Sequence, residues 1–73
     1  MEELLEILGE IVPGVDFEDR DDLVSGGILK SFDLLTLISE IADAFNVEIP
    51  VEDVVPENFE SVESIWQLIE SLK

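Results

Sequence analysis

Gly26-Gly27-Ile28-Leu29-Lys30-Ser31-Phe32-Asp33-Leu34-Leu35-Thr36-Leu37-Ile38-Ser39-Glu40-Ile41-Ala42-Asp43-Ala44-Phe45 carries the reading of the fold. A glycine pair closes an irregular stretch, and from about Ser31 to Phe45 the apolar residues take helical period. At ~100° per residue, Leu34, Leu35, Leu37, Ile38, Ile41, Ala42, Ala44 and Phe45 fall within one half of the wheel. Asp33, Thr36, Ser39, Glu40 and Asp43 fill the other half, and Phe32 lands among them.

Upstream, Leu4, Leu5, Ile7, Leu8, Ile11 and Val12 share one side of a helix over Glu2 to Val12, with Glu2, Glu3, Glu6 and Glu10 opposite. Pro13-Gly14 stops it. Val15 to Lys30 has no sustained period, yet it is studded with Val15, Phe17, Leu23, Val24, Ile28 and Leu29. Those residues predict an ordered loop pinned over the helices, because long loops inside compact domains are usually functional or disordered.

Downstream, Val47 and Ile49 alternate with Glu48, and Pro50 and Pro56 fence an acidic piece from Val51 to Val55. Pro56-Glu57-Asn58-Phe59 suits one helical turn with proline first. Ser61 is a good N-cap for a last helix whose apolar side is Val62, Ile65, Trp66, Leu68, Ile69 and Leu72. Trp66 reads as core, since its neighbours on the wheel are Val62 and Ile69. The expected class is all-α. Three main helices plus one short one form a small four-helix bundle, with the long ordered loop between the first two.

The 73 residues hold nineteen acids against Arg20, Lys30 and Lys73, a net charge of −16, with no His and no Cys. That composition removes the imidazole base, the thiolate nucleophile, disulfides, and nitrogen or sulfur ligands for zinc. Phosphate backbones would be repelled, so nucleic acid is not a partner. Basic protein surfaces are the natural partners, and the summed field should speed those encounters. Met1-Glu2-Glu3 is unlike a basic signal start, and no run approaches the ~18 apolar residues of a membrane span. A cysteine-free chain suits a cytoplasmic location.

The clustered carboxylates invite two chemical readings. An EF-hand beginning at Asp16 would need glycine sixth and glutamate twelfth, where this chain has Asp21 and Gly27, so that motif fails. Loose binding of divalent cations or a plain solvated acidic face remains. Acid–base catalysis needs a pocket that shifts carboxylate pKa values, and a bundle this thin uses nearly all its apolar side chains as core. Ser31 has two readings of its own. It caps the second helix, or it bears an anionic phosphodiester favoured by the free N–H groups and dipole at that end.

Taken together, the acidic first helix, Gly27-Ile28-Leu29-Lys30-Ser31-Phe32-Asp33, Phe45-Asn46-Val47-Glu48-Ile49-Pro50 and Ser61-Val62-Glu63-Ser64-Ile65 match one pattern. Over essentially its whole length the chain resembles the acyl carrier proteins, the phosphopantetheine-dependent carrier domains. The resemblance implies residues 1–73 as a single carrier domain without catalytic residues. Ser31 would be the covalent site of 4′-phosphopantetheine, attached from coenzyme A by a phosphopantetheinyl transferase. The arm's thiol, which this chain lacks, would then carry acyl or aminoacyl groups as thioesters. Cargo could belong to fatty acid biosynthesis, to polyketide or nonribosomal synthesis, or to aminoacyl transfer such as that of D-alanine. One departure is Lys30, where the family usually has Asp.

Partners implied by the resemblance are loading and transfer enzymes with basic patches, acting on a monomer. Phe32, Asp33, Thr36, Ser39, Glu40 and Asp43 would form the docking face. Phe32 either anchors a partner there or folds back onto Leu23 or Leu29. The competing class is an acidic helical adaptor that binds basic partners without a prosthetic group.

Overall fold

The computed structural model describes residues 2–73; Met1, the first residue of the expected domain, lies outside them. Helix α1 spans Glu2–Ile11, α2 Ser31–Phe45 and α3 Val62–Leu72. Three 3₁₀ turns lie between them, at Phe17–Asp19, Val51–Asp53 and Pro56–Phe59. The expected short helix is thus a single 3₁₀ turn with Pro56 first, and the architecture is all-helical. Among the described residues no helix is long and apolar enough to cross a membrane.

Each helix turns the stripe its period predicts toward the core, with two exceptions on α2. Leu4, Ile7 and Leu8 of α1 meet Leu37 and Ile41 of α2 and Val62, Ile65, Leu68 and Ile69 of α3 in one core. Helix α1 packs against both of the others. Phe59, on the turn before α3, is fully buried, an anchor that its place in a polar stretch concealed. Val47 and Ile49 are buried on either side of exposed Glu48, as their alternation requires. Trp66 is half-buried at the edge of the core, its ring 5.7 Å from that of Phe45 at 73°.

Two positions on α2 depart from the helical wheel. Leu35 is 67% exposed, because it lies about 120° round from Ile41 while the packed stripe of a surface helix is only slightly wider than about 100°. Ala44 is exposed at the opposite edge.

The long loop is ordered by its own apolar residues and by one acid. Phe17, Leu23 and Leu29 are buried, and Val15, Val24 and Ile28 pack partly against the same core. The N–H groups of Val24 and Ser25 both donate to Glu60 Oε1 at 2.9 Å. The Leu23 N–H donates to the Glu60 carbonyl at 2.9 Å, and that of Leu29 to the Leu23 carbonyl at 2.7 Å. Glu60 therefore clasps the loop to the entrance of α3. The Ser25 amide holds its carboxyl below the ordinary glutamate value against a smaller opposing effect of desolvation, and the Val24 amide adds to the lowering.

The glycine pair serves this clasp in two different ways. Gly27 adopts φ +78°, which an L side chain rarely takes. Gly26 has no room, since a Cβ there would sit 2.6 Å from the Asp22 carbonyl oxygen that its own N–H already bonds. Gly9, inside α1, has open space around it.

Gly26→Ala should therefore destabilise the protein by about 1–3 kcal/mol through overpacking. Gly9→Ala should stabilise it by about 0.5–1 kcal/mol through helix propensity. Paired thermal melts check both signs.

A second expectation concerns pH. Because the folded carboxyl of Glu60 lies below its ordinary value of 4.5, the clasp's contribution is fully present above that value. It is lost as pH falls through the lower, folded value. In an NMR titration the Val24 and Ser25 amides should shift with that event in the wild type, and Glu60→Gln should abolish the shift.

Candidate functional site

Where the clasped loop meets α2, the chain turns from extended backbone at Lys30 (φ −92°, ψ 172°) into the helix at Ser31. Lys30, not Ser31, occupies the N-cap position, and its carbonyl accepts the Leu34 N–H at 2.9 Å. The capping reading of Ser31 is corrected accordingly. The serine sits one residue too late to cap, already in helical conformation. Capping falls to Asp33, whose Oδ2 accepts the Lys30 N–H at 3.2 Å. A lysine ammonium has no lone pair and cannot return the bond, so the box is half built.

This arrangement leaves Ser31 exposed on the first turn of a fifteen-residue helix. The first-turn amides have no intrahelical acceptors, and the helix dipole is positive there. A primary hydroxyl in that field is open to an incoming reagent and suited to bearing an anion.

The remaining candidate residues share α2 but not one environment. Phe32 is 77% exposed, so the alternative in which it folds back onto Leu23 or Leu29 fails. Leu35, one turn on, joins it as a second exposed apolar side chain that the wheel had assigned to the core. Ser39, Glu40 and Asp43 are exposed. Thr36 is half-buried and its hydroxyl donates to the Phe32 carbonyl at 3.2 Å, which commits it to the helix. Asp33, also half-buried, is occupied with the cap. The face therefore divides into an apolar pair, Phe32 and Leu35, flanked by Glu40 and Asp43.

The acidic loop offers a different surface. A shallow cleft there is lined by Gly14, Val15, Asp16, Asp19, Arg20, Asp21 and Asp22. Arg20 Nε lies 3.1 Å from Asp22 Oδ1, and this partner keeps the Asp22 carboxyl below its ordinary value. Asp19 acts oppositely on Asp16, raising its pKa through a side-chain hydrogen bond and like-charge repulsion. No cluster among the described residues has the grouping of ligands that would hold a metal ion.

Comparison with known proteins identifies the family. A family model described as the phosphopantetheine attachment site matches residues 1–69. A D-alanyl carrier protein from Leuconostoc citreum (strain KM20) is 30% identical over 73 residues, covering 97% of this chain and 92% of the relative. No solved structure matches the chain. With nearly the whole length matched, and an all-helical fold presenting an exposed serine at a helix start, the chain belongs to the phosphopantetheine-dependent carrier proteins, a generally non-catalytic family that bears acyl or aminoacyl groups on a covalently attached 4′-phosphopantetheine arm.

Proposed function

We propose that Ser31 carries the arm, that the outer face of α2 receives partner enzymes, and that the cargo is aminoacyl. The observation behind the first point is the exposed hydroxyl on the first turn of α2, free of any capping duty. In the attachment step the Ser31 oxygen bonds to the phosphorus of the phosphopantetheine half of coenzyme A. The pyrophosphate P–O bond breaks, the adenosine bisphosphate leaves, and the serine proton passes to a base of the transferase. Once attached, the arm supplies the thiol for thioester formation. This chain supplies the hydroxyl, the amides and a rigid platform.

The name of the Leuconostoc citreum relative favours D-alanine or a similar amino acid over fatty or polyketide units. The described residues close around one core, which supports a single carrier domain; we propose further that it works as a monomer in the cytoplasm.

Docking follows from the division of the α2 face. Glu40 and Asp43 would draw in enzymes with basic patches, and Phe32 with Leu35 would give the apolar contact, a charged rim around a greasy centre. No other pair of large apolar side chains on the three α-helices is left so exposed among the described residues.

Intact mass after incubation with coenzyme A and a broad-specificity phosphopantetheinyl transferase tests the site. One adduct is expected, mapping to Ser31 and absent in Ser31→Ala; labelling that persists in that variant would defeat the assignment. For docking, Glu40→Lys with Asp43→Lys should slow loading by roughly tenfold at low salt and flatten its salt dependence. Phe32→Ala should weaken the encounter by about 1–2 kcal/mol at any salt concentration. Reversing Glu2 and Glu6 on α1 is the control. Equal slowing there would mean that net charge alone matters.

A further inference from the structure

We propose that the Lys30 ammonium holds the phosphodiester of the arm, making the start of α2 an anion cradle built from Lys30 and the first-turn amides. This inference rests on Ser31 being the attachment residue. Three cations serve the chain. Arg20 is engaged by Asp22 at 3.1 and 3.3 Å. Lys73 lies 3.6 Å from Glu70 and 4.9 Å from the centre of the Trp66 ring. Lys30 alone, among the described residues, has no carboxylate within 4.0 Å of its ammonium, although nineteen acids surround the three cations in this sequence.

Its placement is also electrostatically contrary. A cation at a helix N-terminus opposes the dipole, and at the cap position it offers no acceptor to the free amides. Asp33 attends only to the backbone of Lys30, at 3.2 Å, and leaves the ammonium unpaired. A phosphodiester on the next residue reverses the sign of that interaction. Adjacent Cα atoms lie about 3.8 Å apart, and the flexible four-carbon stem of lysine easily spans to a substituent on its neighbour. The new anion arrives beside Asp33 on a strongly negative body, where one local cation offsets its charge. The arm is thereby held at its phosphate end, and its thiol end stays free to travel.

The test compares unmodified and modified forms of the wild type, Lys30→Gln and Lys30→Arg, at low salt and at about 1 M salt. Attachment should raise the melting temperature of the wild type relative to Lys30→Gln by roughly 1–5 °C, the range expected of an exposed ion pair in so small a domain. Lys30→Arg should restore the wild-type response, and high salt should erase the difference. The ³¹P resonance of the phosphodiester should differ between wild type and Lys30→Gln at low salt and converge at high salt. An adduct on Ser31 with the same melting response and the same ³¹P shift in both proteins overturns the pairing alone. Failure of Lys30→Arg to restore the response overturns it too, since charge would not be the cause. Absence of any adduct on wild-type Ser31 overturns the attachment assignment and the pairing together.

Discussion

The clasp at Glu60 is the constraint on which the loop before α2 depends. A single residue, one position before the cap of α3, accepts the amides of Leu23, Val24 and Ser25 through its carbonyl and one carboxylate oxygen. Without it, the stretch from Val15 to Lys30 would have to be positioned by side-chain packing alone. The buried residues Phe17, Leu23 and Leu29 fix where the loop lies, but apolar contact is non-directional and does not fix how its backbone turns. The carboxylate supplies direction. It sets the strand of backbone from which Gly26 and Gly27 reverse the chain, so that Lys30 enters α2 extended and Ser31 emerges exposed on its first turn.

That dependence places an acid in a part of the molecule where charge is already in excess. Most of the nineteen acids lie in water, where repulsion is screened within a Debye length of about 8–10 Å. Glu60 differs because its charge is consumed locally by two amides, and its depressed pKa records that use. Asp33 is used similarly on the Lys30 N–H, and Asp22 on Arg20. The acids thus divide into a few that order backbone or pair with a cation and many that shape the outer field. In the proposed role, those many bring basic partners in while the few keep the attachment turn rigid.

The three α-helices were legible because each has a strong 3.6-residue stripe, and Pro13-Gly14 marks the stop of the first. The capping serine of α3 was legible for the same kind of local reason, since Ser61 accepts the Ser64 N–H at 3.1 Å. What escaped the sequence was non-local. Glu60 looks like any other surface acid until Val24 and Ser25, thirty-six and thirty-five positions away, are brought against it. Phe59 was hidden because a single 3₁₀ turn has no periodicity from which burial can be read. Leu35 was misplaced because a half-circle on the wheel is wider than the face that neighbouring helices cover. Ser31 itself was visible as special, but the assignment of its cap duty turned on a one-residue boundary, and residues at helix starts are the least legible of all.

Leu35 changes what the α2 face can do. A lone exposed phenylalanine is common on protein surfaces and implies little. Phe32 and Leu35 stand one turn apart and are both mostly exposed, so they present one apolar ridge rather than two scattered side chains. Burying a single such side chain is worth about 1.5–3 kcal/mol, enough to choose an orientation but too little to hold a partner without help. Charge supplies the help in a form that speeds arrival more than it slows departure. A carrier must leave each enzyme after every transfer, and in the proposed docking role a small ridge within a screened acidic field would meet that requirement. A larger apolar patch would bind longer, and in a protein of this size it would also draw on the side chains that the core requires.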